Sequence, residues 1–206
     1  MPKPIDHAAG RALLIPRDDV DTDAIYPSRF LNTIARQGLG PCLFADWRVA
    51  GLDEFDAFAG RHCIDATVLV AGRNFGCGSS REHAVWALAD CGVQAVVALS
   101  FGDIFRSNCV CNGIITAVVG SLEYRAIVDS LTISESREVA IDLRQRLVKL
   151  PDGGRLPFSI DSGDAQRLLS GDDDISATLA QVQRLQDYED TIASEMPWLA
   201  PWREAI

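Results

Sequence analysis

The sequence predicts an α/β fold, and three observations predict it. Four short apolar runs have the length of buried strands: Arg11–Pro16, Val68–Ala71, Gln94–Leu99 and Ile114–Val119. The segments that separate the last three are helical in spacing. Their links are short, so strand, helix, strand reads as a right-handed parallel crossover.

The elements follow in order. Arg11–Pro16 (RALLIP) is the first strand, and it leads into Arg17–Pro27, RDDVDTDAIYP. Its crowded aspartates suggest a calcium loop. An EF-hand needs glycine at its sixth position and glutamate at its twelfth. Counted from Asp18 these are Asp23 and Arg29, so that match fails and a solvated turn is the plain reading. Ser28–Gly40 is a loop with both apolar groups (Phe30, Leu31, Ile34) and charged ones (Arg29, Arg36). Gly51–Arg61 is an acidic, irregular connector with aromatic anchors.

The stretch Val68–Gly92, VLVAGRNFGCGSSREHAVWALADCG, joins a strand, a glycine-rich turn and an amphipathic helix. Ser79 or Ser80 suits the N-cap, and the helix should run to about Asp90. Ala84, Ala87, Leu88 and Cys91 share its inner face, and Gly92 closes it. Gln94–Leu99 is the next strand. Ser100–Asn112 opens on a capping serine and reads as a short helix. Ile114–Val119 is a strand, and Glu123–Ser130 a helix. Val139–Leu143 and Arg146–Leu150 read as a hairpin, extended through the turn Pro151–Gly154 to a short strand at Pro157–Ile160. Asp164–Leu169 is a helix ending at Gly171. Asp172, Asp173 and Asp174 suit the start of a last helix over Ile175–Ser194, where acidic groups complement the helix dipole. The tail Trp198–Trp202 (WLAPW) is aromatic. No repeat, low-complexity tract or linker interrupts residues 1–206, which predicts one domain with a C-terminal helical extension.

The glycine-rich turn carries the chemistry. Gly76 and Gly78 let backbone amides approach a ligand closely. The helix N-terminus adds unpaired N–H donors and partial positive charge, which suits a carboxylate. Arg81 brings a planar fork that can grip a carboxylate with two bonds. Ser79 sits among these donors. Its hydroxyl is a poor base in water, but amides and a guanidinium would stabilise its alkoxide, which could then take a proton from carbon. A capped helix with an incidental arginine would explain SSRE alone; the three glycines, NFGCG and the preceding strand point to a ligand site. Other glycine-rich sites fail. Arg81 stands where a dinucleotide fingerprint needs its third glycine, no Lys-Ser/Thr follows for a P-loop, and there is no G-x-S-x-G.

Composition excludes further classes. The 206-residue chain carries a formal charge of −10, which argues against nucleic acid as a partner. No apolar run is long enough to span a membrane, and MPKPIDHAAGR has no apolar core of a signal peptide, so a cytoplasmic setting is expected. The six cysteines, Cys42, Cys63, Cys77, Cys91, Cys109 and Cys111, are then expected as free thiols. None pairs as C-x-x-C, so no metal site of this chain's own is expected. Cys77 lies in the active turn, where its expected role is shape and backbone position. His7, His62 and His83 are few for a self-contained acid–base enzyme. Arg106 and Asn108 are polar groups of the helix after Leu99 that suit its surface or cap as well as a site.

The segment GRNFGCGSSREHAVWAL resembles the signature of the small subunits of 3-isopropylmalate dehydratase, in the aconitase superfamily. DVDTDAI at Asp19–Ile25, LF-x-DWR at Leu43–Arg48, SF-x-DIF at Ser100–Phe105 and the acidic start of the last helix extend the resemblance over roughly Gly10 to Glu195. Tyr26 departs from the isoleucine usual there. Phe30-Leu31-Asn32-Thr33 lacks the arginine of archaeal-type relatives, whereas Arg36, Gly38 and Gly40 fit a longer bacterial form. The resemblance implies a three-layer swivelling β/β/α domain of the aconitase C-terminal-domain type. It makes Ser79 the catalytic base and Arg81 a substrate-carboxylate ligand, with Ser80, Gly78 and Cys77 lining the substrate. It puts Asp23 in the active site, orienting the basic side chain or the site's hydrogen bonds. It assigns specificity to the loop of Leu31 and Arg36, where an apolar lining accepts an alkyl group and an arginine accepts a carboxylate.

The implied reaction is hydro-lyase isomerisation of 2- and 3-isopropylmalate in leucine biosynthesis. The leaving hydroxyl needs a Lewis acid, which the resemblance places in a [4Fe–4S] cluster held by a separate large subunit. A heterodimer is therefore implied, active only when assembled. Relatives acting on citraconate, dimethylmalate or homoaconitate are the alternatives, as is a non-catalytic paralogue that binds a diacid.

Overall fold

The computed structural model describes residues 3–52, 65–172, 178–179, 181–196 and 198. One compact unit runs to Gly171, and a second begins at Asp172. The first unit is built on a seven-stranded mixed sheet. In chain order its strands are β1 (His7–Ile15), β2 (Val68–Ala71), β3 (Ala95–Ala98), β4 (Ile115–Val118), β5 (Glu138–Asp142), β6 (Leu147–Lys149) and β7 (Arg155–Pro157). Their spatial order is β4-β3-β2-β1-β5-β6-β7.

β1 divides the sheet. Its C-terminal half, Ala12 to Ile15, pairs in parallel with Val68 to Ala71. Its N-terminal half, His7 to Arg11, pairs antiparallel with Asp142 to Glu138. The strand thus starts at His7, four residues before the expected start at Arg11. The added residues carry no apolar run because β5 holds them by backbone pairing at a partly exposed face. β2, β3 and β4 continue the parallel half, and β6 and β7 the antiparallel half. Just beyond β7, Ser159 exchanges two backbone bonds with Val118 of the outer strand β4 (2.9 and 2.7 Å). The last strand ends sooner than expected because its chain crosses there to the opposite sheet edge. That edge is thereby covered and the sheet curls into a half-barrel.

The parallel strands are buried on both faces, which explains their unbroken apolar runs. Leu13, Ile15, Leu69, Ala71, Val96 and Ala98 face one core with α3 (Glu82–Asp90) and α4 (Asp103–Cys111). Ala12, Val68, Val70, Ala95, Val97 and Ile115 face the other, with α5 (Ser121–Ile133) and α6 (Ser162–Ser170). The result is an α/β fold in three layers, as expected, with helices on both faces of one mixed sheet where the resemblance implies the layer order β/β/α. Two short helices, α1 (Thr22–Ile25) and α2 (Ala45–Val49), precede β2. The second unit's described helix is α7 (Val182–Glu195), which has no buried residue and exposes Val182, Leu185 and Tyr188. Most of the connector Gly51–Arg61, the aspartates after Asp172 and most of the aromatic tail lie outside the described residues.

Two helix starts differ from expectation. α3 begins at Glu82 with Arg81 as its N-cap and no side-chain cap bond, so neither serine caps it. α4 begins at Asp103 after Gly102, and Ser100 Oγ instead accepts the amide of Asn74 at 2.8 Å. In both cases the serine is committed to the turn rather than to the helix. Cys42, Cys77, Cys109 and Cys111 are free thiols, as expected. Cys91 is disulfide-bonded, a correction that no spacing of cysteines along the chain could supply. Among the described residues no helix is long and apolar enough to cross a membrane.

Candidate active site

The site forms where β1 and β2 run on past the sheet. The segments Arg17–Thr22 and Gly72–Cys77 remain side by side. Arg17 O accepts Gly72 N (3.1 Å), Asp19 N donates to Arg73 O (2.8 Å), Gly76 N donates to Val20 O (2.7 Å) and Thr22 N to Cys77 O (2.9 Å). Asp18 and Asp19 brace the same pairing through Arg73 N (2.6 Å) and Asn74 Nδ2 (2.7 Å). Most of the aspartates that suggested a calcium loop are therefore clamps and caps. Asp21 caps α1 by accepting Ala24 N at 2.7 Å.

The two glycines of the turn have different tasks. Gly76 has φ +74, and a Cβ there would fall 2.1 Å from Cγ of Phe105. Its amide is already bonded to Val20 O. Gly76 is thus demanded by packing under the turn, not by approach of a ligand, which corrects the expectation for it. Gly78 has φ +91, and its nearest neighbour to a Cβ is 3.5 Å away, at Asp21. Among the described residues no acceptor meets the amides of Gly78, Ser79 and Ser80. These three successive N–H groups lie exposed ahead of α3 and form the anion-ready edge of the turn.

Ser79, Asp23 and Arg81 come together here. Arg81 Nη1 donates to Asp23 Oδ1 in a close ion pair. Ser28 N donates to the same carboxylate oxygen at 2.8 Å. Arg81 first, and then the Ser28 amide, hold the Asp23 carboxyl below the usual carboxylate range. Asp23 therefore fixes the guanidinium and leaves its remaining N–H groups free to meet an anion. Ser79 meets a different neighbour. Thr22, only 2% exposed, donates Oγ1–H to Ser79 O at 3.0 Å, and its Oγ1 lies 3.4 Å from Ser79 Oγ. In sequence Thr22 is only one residue of DVDTD; its contact with Ser79 arises from the pairing of the segments beyond β1 and β2 and has no local signal. Burial first, then Asp21 and Asp19, push the Cys77 thiol up, so Cys77 stays protonated. Its carbonyl, which accepts Thr22 N, supports the expected backbone role.

The loop Ser28–Gly40 is fastened to α3. His83 Nε2 lies 2.8 Å from Thr33 O, and Asp90 accepts Leu39 N and Gly40 N at 2.8 and 3.1 Å. Tyr26 stacks on His83 with ring centroids 5.8 Å apart and donates its hydroxyl to Phe30 O at 3.2 Å. Arg36 lies over the Trp86 ring, 4.7 Å from its centroid, and among the described residues no contact joins it to Ser79 or Arg81. Leu31 is partly exposed on the same loop. Arg29 is taken by Asp46 in a two-bond pair. Glu82 accepts Trp86 Nε1 and Asn112 Nδ2 at 3.0 and 3.1 Å, which commits the first carboxylate of α3 to packing. Arg106 lies 3.8 Å from Asp164, a helix-surface contact. Among the described residues no group of His, Cys, Asp and Glu is arranged to hold a metal ion.

Comparison with known proteins places this arrangement. Residues 5–120 match the family model described as the aconitase C-terminal domain. The chain is 42% identical over 193 residues to the 3-isopropylmalate dehydratase small subunit of Rhodospirillum rubrum, which covers 92% of this chain and 93% of that one. It is 41% identical over 206 residues to the protein of the same name from Novosphingobium aromaticivorans, with 99% and 98% covered. The crystal structure of 3-isopropylmalate dehydratase from Methanocaldococcus jannaschii superposes with a TM-score of 0.65 at 32% identity, covering 89% of this chain and 99% of that one. The strand–turn–helix unit and its partner segment both fall inside the matched region, and the chain belongs to the aconitase C-terminal domain family, among its 3-isopropylmalate dehydratase small subunits.

Proposed function

We propose that this chain is the small subunit of a 3-isopropylmalate dehydratase that interconverts 2- and 3-isopropylmalate in leucine biosynthesis, in the cytoplasm, paired with a large subunit. One observation carries the reading. Ser79 stands in a run of free amides beside an arginine already aimed by Asp23. That is a carboxylate grip set next to a hydroxyl, and the small-subunit relatives support the same reaction class.

The chain's residues would act as follows. Arg81 and the amides of Gly78, Ser79 and Ser80 hold a substrate carboxylate. The Ser79 alkoxide takes the carbon-bound proton and becomes a hydroxyl; on rehydration it returns that proton to carbon. Asp23 keeps Arg81 in place through both steps. Leu31 and the apolar side of the Ser28–Gly40 loop suit an isopropyl group. Arg36, held over Trp86, lies at the loop's edge and would reach a second carboxylate only by leaving that ring. In this proposal the [4Fe–4S] cluster that the resemblance implies, and the Lewis acidity it would supply to the leaving hydroxyl, belong to the large subunit.

The test is anaerobic hydro-lyase activity of this chain with and without a co-expressed cluster-bearing large subunit, offered isopropylmaleate and citraconate. Activity only in the mixture, with isopropylmaleate preferred and Ser79→Ala inactive, is expected. Turnover by the chain alone, or an assembled complex inert to both acids, refutes the proposal.

A further inference from the structure

We propose that Thr22 is a positioning residue for Ser79, acting as a rotor with one proton and two acceptors. The inference rests on the reading of Ser79 as the base. Thr22 is one of only three buried polar or charged residues among those described, and its hydroxyl is spent entirely on Ser79. A threonine hydroxyl has one hydrogen. While Ser79 Oγ is protonated, that hydrogen goes to Ser79 O, 3.0 Å away, and Thr22 Oγ1 can accept from Ser79 Oγ at 3.4 Å. Once Ser79 Oγ is an alkoxide it has no hydrogen to give. Thr22 is then the only possible donor of the pair. A charged acceptor outcompetes a neutral carbonyl and draws the donor closer, so the hydroxyl turns from the carbonyl to Oγ.

The carbonyl can release the rotor cheaply, because Ser79 O also accepts Arg81 N at 2.8 Å and so keeps a partner when Thr22 turns away. When Ser79 receives the proton from carbon, Thr22 turns back. No proton is gained or lost by Thr22 in the cycle. α1 and the β1–β2 extension supply the rigidity: Thr22 N is pinned to Cys77 O, and Thr22 O accepts Tyr26 N at 2.9 Å. The charged and titratable groups around the pair are Asp21 and Asp23 on the same segment, and Cys77 and Arg81 on the facing turn. Arg81 is tied to Asp23 and Cys77 is held protonated, so Thr22 is the neutral donor placed to answer the alkoxide.

The experiment compares Thr22→Val, Thr22→Ala and Thr22→Ser in the co-expressed two-subunit assembly, following dehydration of 3-isopropylmalate to isopropylmaleate against pH. Losing one hydrogen bond to a charged oxygen should lower kcat about ten- to a hundredfold in the valine variant, with KM changed by no more than about twofold. The pH at which the rate climbs should move up by about one unit or more. Thr22→Ser should restore most of the rate and the original profile. A valine variant with unchanged kcat overturns the proposal, as does a loss equal at every pH, which would mark a purely structural contact. If both valine and alanine variants fail to fold while serine folds, the hydroxyl serves the fold and the rotor is likewise overturned. An active Ser79→Ala assembly would instead remove the base assignment, whatever Thr22 does.

Discussion

Substituting Gly76 separates backbone strain from side-chain collision at the root of the active turn. Two penalties act at this position. The left-handed backbone costs an L-residue about 1–2 kcal/mol. The added methyl would also meet Phe105 at 2.1, 2.4 and 2.6 Å from three ring atoms, in a ring only 2% exposed and packed edge-on to Phe75. Neither ring can swing into solvent, so overpacking adds about 1–3 kcal/mol. Gly76→Ala should therefore destabilise the chain by about 2–5 kcal/mol. Gly78→Ala is the internal control. It has the same backbone demand but no contact closer than 3.5 Å, so only about 1–2 kcal/mol is expected. Urea denaturation of the wild-type chain and both variants measures the difference. A double-mutant cycle with Phe105→Ala isolates the collision, because trimming the ring should remove about 1–3 kcal/mol of the Gly76→Ala cost. Equal costs at the two glycines, or a Gly76→Ala cost indifferent to Phe105, would refute the packing argument.

Other outcomes follow from the same geometry. The Asp23 carboxyl should titrate below the ordinary carboxylate value in carbon-detected NMR, and Arg81→Gln should return it toward that value. Because its folded pKa is depressed, its contribution to stability is present above the unfolded value of about 4 and is lost as pH falls through the lower folded value. In the assembled enzyme Asp23→Asn should raise KM more than it lowers kcat, since Asp23 aims the carboxylate grip; an unchanged KM would count against that role. Asp90→Ala leaves the buried amides of Leu39 and Gly40 without their acceptor and should cost about 1–3 kcal/mol in urea denaturation, with less lost in Asp90→Asn. Tyr26 should resist ionisation until pH about 12, chiefly because it is buried, and then because of Cys42; a spectrophotometric titration in which all tyrosines ionise near pH 10 would contradict this.

The parallel half of the fold is legible because its strands are buried on both faces and so are apolar almost throughout, Thr116 of β4 being the exception. The antiparallel start of β1 is not: His7-Ala8-Ala9-Gly10 has neither an apolar run nor alternation, and only pairing with β5, far along the chain, makes it a strand. The start of α3 misleads for a physical reason. Ser79 and Ser80 are good caps in isolation, but Gly78 turns the chain left-handed and leaves both serines outside the helix. The strand–turn–helix unit and the pair Ser79 and Arg81 were visible in the residues themselves. Asp23 was visible only through the family resemblance, since it and the three aspartates before it read equally well as a solvated turn. Thr22 and the stacking of Arg36 on Trp86 were not visible, because both contacts join segments brought together only by the finished sheet.

The divided pairing of β1 also sets an order on synthesis. Of the seven described strands this one is made first, but its two ladders cannot close together. Its parallel partner β2 follows about 56 residues later, at a delay of roughly 3–11 s for ordinary elongation rates. Its antiparallel partner β5 arrives roughly 130 residues after β1, at a delay of roughly 6–26 s. For that interval the nascent chain can carry the active turn and its parallel scaffold while one half of its first strand still waits, unpaired, for a neighbour. A stalled chain released after β4 would expose that waiting edge, which is where a ribosome-associated chaperone would be needed.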